Sequence, residues 1–384
     1  MDLTWTHDDD MFRAEIRTWL ESNLEQWRSL HGDDVRSGDT RDGFAQHLDW
    51  ERMLHAARLA AVSWPEEYGG RAASLWQWLI FEEEYYRAGA PPRVTQNGIF
   101  LLAPSLFEFA NDAQKAHILP RMSAAIDLWC QGWSEPNAGS DLASVSCRAD
   151  RVTGGWRLNG QKTWTTRGAF CTHLFGIFRS DPEQQRHRGL SYLLVPLDID
   201  GVTVRGFERL DGDLGFAEVF FDDAFLADDA IEGGVLLGDE GAGWKVAMAT
   251  AGSERGLTLR SPGRFLATSE RVLDTAHRTG DPHLIRRATI AWTRAEAYQL
   301  QTLAAVTRLA AGETPGAEAS LTKIWWSELD IELHQIELDA LGVAAELDTS
   351  ASRGWQFSLS GPIYAGANEV QRNIAAERLL GLPK

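Results

Sequence analysis

The chain has 384 residues, 44% of them hydrophobic and 24% charged, enough to bury a large core and to divide into roughly two or three domains. Its formal net charge of −18 excludes the basic footprint that phosphate backbones require, so nucleic acid is not an expected partner, and anionic membranes are disfavoured for the same reason. No run reaches the ~18 apolar residues of a membrane span, and the acidic N-terminus lacks the apolar stretch of a secretory signal. Cys130, Cys147 and Cys171 have no metal-ligand spacing, and such sparse use suits a reducing, cytoplasmic setting.

The first third reads as helical. Phe12, Ile16, Trp19, Leu20 and Leu24 recur at helical spacing. Residues Gly32 to Gly43 are polar and Gly/Asp-rich and read as a loop, followed by a helix from Phe44 to Ala61. The stretch Trp64-Pro65-Glu66-Glu67-Tyr68-Gly69-Gly70 interrupts the pattern. Helices resume over Leu75–Ala88 and after Pro91-Pro92, and Asn111 or Asp112 is placed to cap a helix ending near Pro120.

The pattern changes near Trp129. Short apolar runs follow at Trp156–Leu158, His173–Phe178, Leu190–Pro196, Val202–Phe207 and Ala217–Leu226, with Asn159-Gly160 and Asp211-Gly212 as turn dipeptides. This is the signature of a small antiparallel β domain. From Gly241 the chain is helical again. One seam runs through Leu284, Ala288, Ala291, Ala295, Tyr298, Thr302, Ala305 and Leu309, and a second through Leu321, Trp325, Leu329, Leu333, Ile336 and Ala340. Together they describe a bundle whose small residues allow close helix approach.

Three segments carry more specific information. The tail from Pro362 to Lys384 reads PIYAGANEVQRNIAAERLLGLPK. Trp133-Ser134-Glu135-Pro136-Asn137-Ala138-Gly139-Ser140-Asp141 is a Pro/Gly-ordered loop that presents hydroxyls and backbone N–H groups. Asn159-Gly160-Gln161-Lys162-Thr163-Trp164-Thr165-Thr166 sets an aromatic face beside hydroxyls. Singly, the second reads first as an ordinary Ser-Glu-Pro turn and the third as a β-hairpin with a core tryptophan. Together, and in this order, they resemble the acyl-CoA dehydrogenases over essentially the whole chain. The resemblance implies a mostly α fold with a central β domain. Its parts are an N-terminal helical domain (1–128), a middle antiparallel β-barrel (129–238) and a C-terminal four-helix bundle (239–384).

The resemblance also implies FAD as cofactor and an acyl-CoA or acyl-carrier thioester as substrate. Trp133 and Ser134 would lie on the flavin side, with Ser134 at the pyrimidine edge. Trp164 would meet the ring and Thr166 its N5. Glu369 would accept from the adenosine moiety, and Ser140 would lie near the acyl-CoA. The reaction removes an α-proton and passes a β-hydride to the flavin, so it needs a carboxylate near Cα and donors to the thioester oxygen. Many members place that carboxylate directly before the glycine of the tail motif. Here the position is Ala365, before Gly366, and only the backbone N–H remains to serve the thioester. Members of the isovaleryl-CoA dehydrogenase type instead carry the base on the first long helix of the bundle. The matching residue is Glu254, followed by Arg255, which is expected to orient Glu254, shape the acyl-CoA site or form a structural ion pair.

Two features depart from the family pattern. The Arg-x-x-Phe-Gly stretch that clamps the ADP half of FAD from a neighbouring subunit is absent from Arg271–Gly280, and Ala367 replaces the usual threonine of the tail. A pyrophosphate needs donors and positive charge. One resolution is an α2β2 assembly in which another chain supplies the clamp, as in some actinobacterial members acting on steroid side chains. The other is a homo-oligomer with replacement arginines at Arg260, Arg264 or Arg286. An electron-transfer flavoprotein is the expected electron acceptor. A subunit without catalysis and a flavin monooxygenase or oxidase on the same fold are the competing functional readings.

Overall fold

The computed structural model describes residues 5–32, 35–255, 261–313 and 316–383, with the side chains of 253–255 excepted. In chain order the helices α1 (His7–His31), α2 (Arg41–Ala56), α3 (Leu75–Arg87), α4 (Ala103–Phe109) and α5 (Asp112–Ser123) come first. The strands β1 (Trp129–Gly132), β2 (Arg148–Val152), β3 (Gly155–Thr166), β4 (His173–Arg179), β5 (Leu190–Pro196), β6 (Val202–Phe207) and β7 (Phe216–Ala227) follow. The chain closes with α6 (Gly243–Arg255), α7 (Pro262–Thr279), α8 (Pro282–Ala310), α9 (Glu318–Leu341), α10 (Ser350–Ser358) and α11 (Asn368–Arg378). Two compact units result. One comprises Trp27–Ala72 and Pro91–Glu254 and holds the sheet; the other comprises Met1–Gln26, Ala73–Ala90 and Arg255–Lys384 and is helical.

In the sheet unit the strand order is β1-β4-β2-β3-β7-β6, with β5 on β4. β2–β3, β3–β7, β4–β5 and β6–β7 pair antiparallel. β1–β4 and the single Arg148–Arg179 bridge of β2–β4 are parallel, so the sheet is mixed rather than wholly antiparallel. Burial follows position: β5 is buried at every residue, while β6, at the sheet edge, alternates between exposed and half-buried residues. Asn159-Gly160 is not a turn. It lies within β3, where Gly160 has φ +137° and marks a register shift against β7. A Cβ there would lie 2.8–3.0 Å from Cys147, so the glycine serves a close approach between chain segments.

Several boundaries differ from the sequence reading for identifiable reasons. α2 starts at Arg41, capped by Thr40, whose hydroxyl accepts from Gly43 N–H. It stops at Ala56 because Arg58 turns left-handed (φ +58°), and the apolar run Leu59–Val62 is a buried turn rather than a last helical turn. Asn111 caps α5 in a reciprocal box with Gln114, and α5 runs past Pro120 to Ser123. Ahead of α4, residues Asn97–Leu102 form a π-helical turn. Pro104 explains it, since its ring cannot tolerate the carbonyl four residues back in regular α geometry.

In the helical unit α9 touches α7, α8, α10 and α11, and α3 packs on α7. Phe265, Val272, Ala288, Ala291, Ala295, Tyr298, Trp326, Leu329, Leu333 and Ile336 belong to its core. The α8 seam holds through Thr302 and then moves to Val306, leaving Ala305 and Leu309 only partly buried. On α9, Trp326 rather than Trp325 continues the inward row back from Leu329, and Leu321 and Trp325 face out. Trp325 lies under the Arg294 guanidinium and donates its indole N–H to the Arg294 carbonyl.

All three cysteines are free thiols. Among the described residues no helix is long and apolar enough to cross a membrane, and no group of His, Cys, Asp or Glu is arranged to hold a metal.

Candidate active site

The motif residues fall into two groups, one in each unit. In the sheet unit, Trp133–Asp141 leaves β1 as a loop closed by two hydrogen bonds between Glu135 and Ala138 (2.8 and 3.0 Å). Pro136 and Asn137 occupy its tip. Ser134 is half-buried at its base, Trp133 is buried, and Ser140 is exposed. Opposite this loop, β3 bulges. Its register with β7 shifts between Lys162 and Thr165, and Trp164 sits within the shift at φ +57°. A bulge re-aims a side chain. Here it leaves the Trp164 indole 60% exposed while Lys162 and Thr165 point inward.

The indole is held from the side. Phe207 and Phe216 meet it edge-on at 5.3 and 5.5 Å between centroids. The Thr163 N–H, released from the ladder, donates to the Ser134 carbonyl at 2.9 Å. Thr166 is half-buried, and its carbonyl accepts from Asn97 Nδ2 at 3.2 Å. The next residue, Arg167, donates to Asp39 at 2.5 Å, and Arg209 donates to the other Asp39 oxygen at 2.5 Å. Burial alone would raise the Asp39 carboxyl, but the two guanidiniums prevail and hold it below the ordinary range. Both ends of the Trp164–Thr166 segment are therefore fixed.

In the helical unit the tail motif follows α10. Ala365 and Gly366 are consecutive left-handed residues (φ +57° and +84°). Alanine in that region is strained, and such strain gathers at functional sites. Among the described residues no backbone carbonyl takes up the Ala365 N–H. Ala367 is the N-cap of α11 and makes no side-chain cap. Asn368 is buried, and its Oδ1 accepts from Lys323 Nζ at 2.7 Å and from Ser327 Oγ at 3.2 Å. Glu369 is exposed, with its side chain 80% accessible. Arg264, one of the expected replacement arginines, is paired with Asp330 at 3.0 Å. Arg286 is exposed on α8, and Arg260 lies outside the described residues. The side chains of Glu254 and Arg255, at the end of α6, also lie outside the described residues. The preceding turn is fixed by Thr250, whose hydroxyl meets Ser105 Oγ at 2.6 Å and the Tyr192 hydroxyl at 3.2 Å.

Asn97, Lys162 with Glu135, and Lys323 with Asn368 are contributors that the motif reading did not single out. Their types carry no local signal. Each acts through a partner distant in sequence, and only Asn97 has a local mark, the Pro104 that forces its π-helical turn.

The sequence matches the family profiles described as acyl-CoA dehydrogenase N-terminal domain over residues 6–125, middle domain over 130–224 and C-terminal domain over 241–380. The chain belongs to the acyl-CoA dehydrogenase family. Acyl-CoA dehydrogenase IpdE1 of Mycolicibacterium smegmatis is 40% identical over 393 aligned residues, taking in 97% of each chain. Its Mycobacterium tuberculosis namesake is 39% identical over 387 residues, 98% of each. Among solved structures, the ChsE4-ChsE5 complex from Mycobacterium tuberculosis contains a chain that superposes over the full length of both chains with a TM-score of 0.84 and 26% identity. A glutaryl-coenzyme A dehydrogenase bound to glutaryl-CoA superposes with a TM-score of 0.81 over all of this chain and 98% of the other at 21% identity, a likeness of fold. Membership in this acyl-CoA dehydrogenase family makes the protein an FAD-dependent oxidoreductase acting on acyl-CoA thioesters.

The ring-side residues fit a flavin. An exposed indole on a fixed bulge, a hydroxyl two residues on, and the buried Trp133 Nε1 and Thr165 Oγ1, unpartnered among the described residues, are polar and aromatic features that a flat heteroaromatic ring can use. Among the described residues, the tail offers the Ala365 N–H without a backbone acceptor and the unpartnered amide of buried Gln371. For the pyrophosphate, Arg264 is already neutralised by Asp330.

Proposed function

We propose that this acyl-CoA dehydrogenase oxidises the Cα–Cβ bond of an acyl-CoA to the trans-2-enoyl thioester, with Glu254 as the base. The observation that carries the reading is Ala365: it occupies the position of the family's common carboxylate, holds a left-handed backbone, and keeps an N–H without a backbone acceptor among the described residues. In this reading the Ala365 N–H donates to the thioester oxygen, where enolate charge develops. The carboxylate of Glu254, at the end of α6, takes the α-proton. FAD, when bound, accepts the β-hydride. Trp133, Ser134, Trp164 and Thr166 orient the ring, Ser140 and Arg255 shape the substrate site with Gly366, and Glu369 receives the adenosine end. Glu254→Gln tests the assignment: FAD retained, with turnover about 10²–10⁴-fold lower, is the expected result. Near-normal turnover would refute it.

A second chain is proposed as the donor of the ADP clamp. The absent Arg-x-x-Phe-Gly stretch and the engagement of Arg264 with Asp330 support this, and one similar solved structure is itself the ChsE4-ChsE5 complex. An electron-transfer flavoprotein is the proposed acceptor. Native mass spectrometry counts the FAD: one FAD per copy of this chain alone would exclude the second chain.

A further inference from the structure

The sheet unit contains a buried ion pair that the dehydrogenation chemistry does not use. Lys162 is fully buried, with its Nζ 2.7 Å from Glu135 Oε1, 2.7 Å from the Ile177 carbonyl and 3.5 Å from the Trp133 carbonyl. Glu135 also accepts from Ser146 N–H (2.7 Å) and Ser146 Oγ (3.0 Å) through Oε2, and from Cys147 N–H (2.9 Å) through Oε1. All three ammonium donors and both carboxylate oxygens are therefore used. That is the condition under which two buried charges are tolerated, yet an apolar pair of similar volume would hold a core at least as well. Stability alone does not explain the pair.

Its position does. Glu135 directly follows Ser134, and Lys162 is the last residue in register before the bulge that exposes Trp164. Between them runs a backbone bond joining the two segments, Thr163 N–H to the Ser134 carbonyl. The Trp133 carbonyl, on the other side of Ser134, also faces Lys162. The ammonium thus ties the Trp133 carbonyl and the Glu135 side chain, one on each flank of Ser134, to the strand that carries Trp164 and Thr166. We infer that Lys162 and Glu135 are positioning residues that fix the spacing between the two flavin-facing segments, an inference resting on the reading that Ser134, Trp164 and Thr166 face the flavin ring. A charged pair suits this task better than an apolar contact because its hydrogen bonds are directional and admit one register.

The test compares Lys162→Met, Glu135→Gln and the neutralised double variant with Ile118→Ala, a cavity in the buried face of α5 in the same unit. Two quantities are read: amide hydrogen exchange of peptides spanning 131–139 and 159–167 in the apoprotein, and FAD affinity by titration. The expected result for Lys162→Met and the double variant is exchange about tenfold or more faster in those two peptides than in β4 and β5, with FAD affinity about tenfold weaker. Ile118→Ala should lower stability with FAD affinity unchanged. Faster exchange spread evenly over the sheet, or FAD affinity within about twofold of wild type in the double variant, would make the pair merely structural and overturn the inference. Should Lys162→Met fail to fold, the double variant and Glu135→Gln carry the same readouts. If the wild-type protein, with its partner, takes up no FAD, the flavin reading fails on its own, while the exchange pattern still decides whether the pair fixes the two segments.

Discussion

Each unit holds its share of the motif residues over a buried lysine, and the two lysines are answered differently. Under Ser134 and Trp164, Lys162 meets a full carboxylate, itself bound by two backbone N–H groups and a hydroxyl. Under the tail loop, Lys323 meets the amide oxygen of Asn368 at 2.7 Å and lies 5.8 Å from the Trp326 ring centroid. Both devices hold backbone that departs from regular geometry: a left-handed Trp164 in one, left-handed Ala365 and Gly366 in the other. The comparison teaches that the sheet unit secures its irregular segment with balanced charge, whereas the bond from Lys323 to the tail of the helical unit is made to a neutral amide. Removing a partner should therefore be costlier in the sheet unit.

The largest expected difference tests that directly. Lys162→Met strands a buried carboxylate and should destabilise the sheet unit by about 3–5 kcal/mol. Asn368→Ala removes the neutral amide that accepts from Lys323 and should cost the helical unit about 1.5–3 kcal/mol. Urea unfolding monitored by hydrogen exchange in each unit measures both. Equal costs would mean that the carboxylate is compensated by its N–H donors alone.

Acid should separate the two units next. Burial pushes the Glu135 carboxyl up, but the Lys162 ammonium and the N–H groups of Ser146 and Cys147 more than offset this, so its pKa lies below the ordinary range. A carboxylate depressed in the folded state stabilises fully above its unfolded pKa, near about 4.3, and loses that contribution as pH falls through its folded value. The sheet unit should thus weaken from about pH 4 downward, and Glu135→Gln should flatten part of that loss. Asp39, depressed by Arg167 and Arg209, keeps the remainder. In the helical unit, Glu337 is lowered despite burial by His334 and Arg271, and Glu84 despite burial by Arg17, Arg13 and Arg87, so acid loss appears there also, untouched by Glu135→Gln. Denaturation midpoints measured at about pH 6 and about pH 3.5 check this; an unchanged slope in the variant would break it.

The legibility of these features in the sequence follows the range of the interactions. β5 and β6 were readable to the residue because their apolar runs are bounded by local turn chemistry. Asn159-Gly160 misled because the same dipeptide that makes a turn also makes a bulge, and the deciding contact, Cys147, is not local. Trp325 and Trp326 differ by 100° on a helix; only the packing of Phe265 and Tyr364 on Trp326 shows which faces the core. Lys162 and Glu135 both stood inside quoted motifs, yet nothing local marks a lysine as buried when its partner lies 27 residues away. The exposure of Trp164 was likewise set by long-range features, the β7 register and the two phenylalanines beside it.

The smallest effect concerns the tail. Ala367 stands where the family pattern has a threonine, whose hydroxyl the resemblance would place at the cofactor. The structure adds a separate role, because Ala367 is the N-cap of α11, with φ −51° and ψ 145° and no side-chain cap. Threonine in that backbone conformation would place its hydroxyl to accept from the N–H of a first-turn residue. Ala367→Thr should therefore stabilise the helical unit by about 1 kcal/mol, seen as slower exchange in α11, with no change in the sheet unit. FAD affinity sharpens the comparison of the two halves. A gain in affinity beyond that stabilisation would mean that the hydroxyl also reaches the cofactor, and that the helical unit gave up a polar contact there while the sheet unit kept its own. A gain in stability with affinity unchanged would confine the residue's role to the helix end.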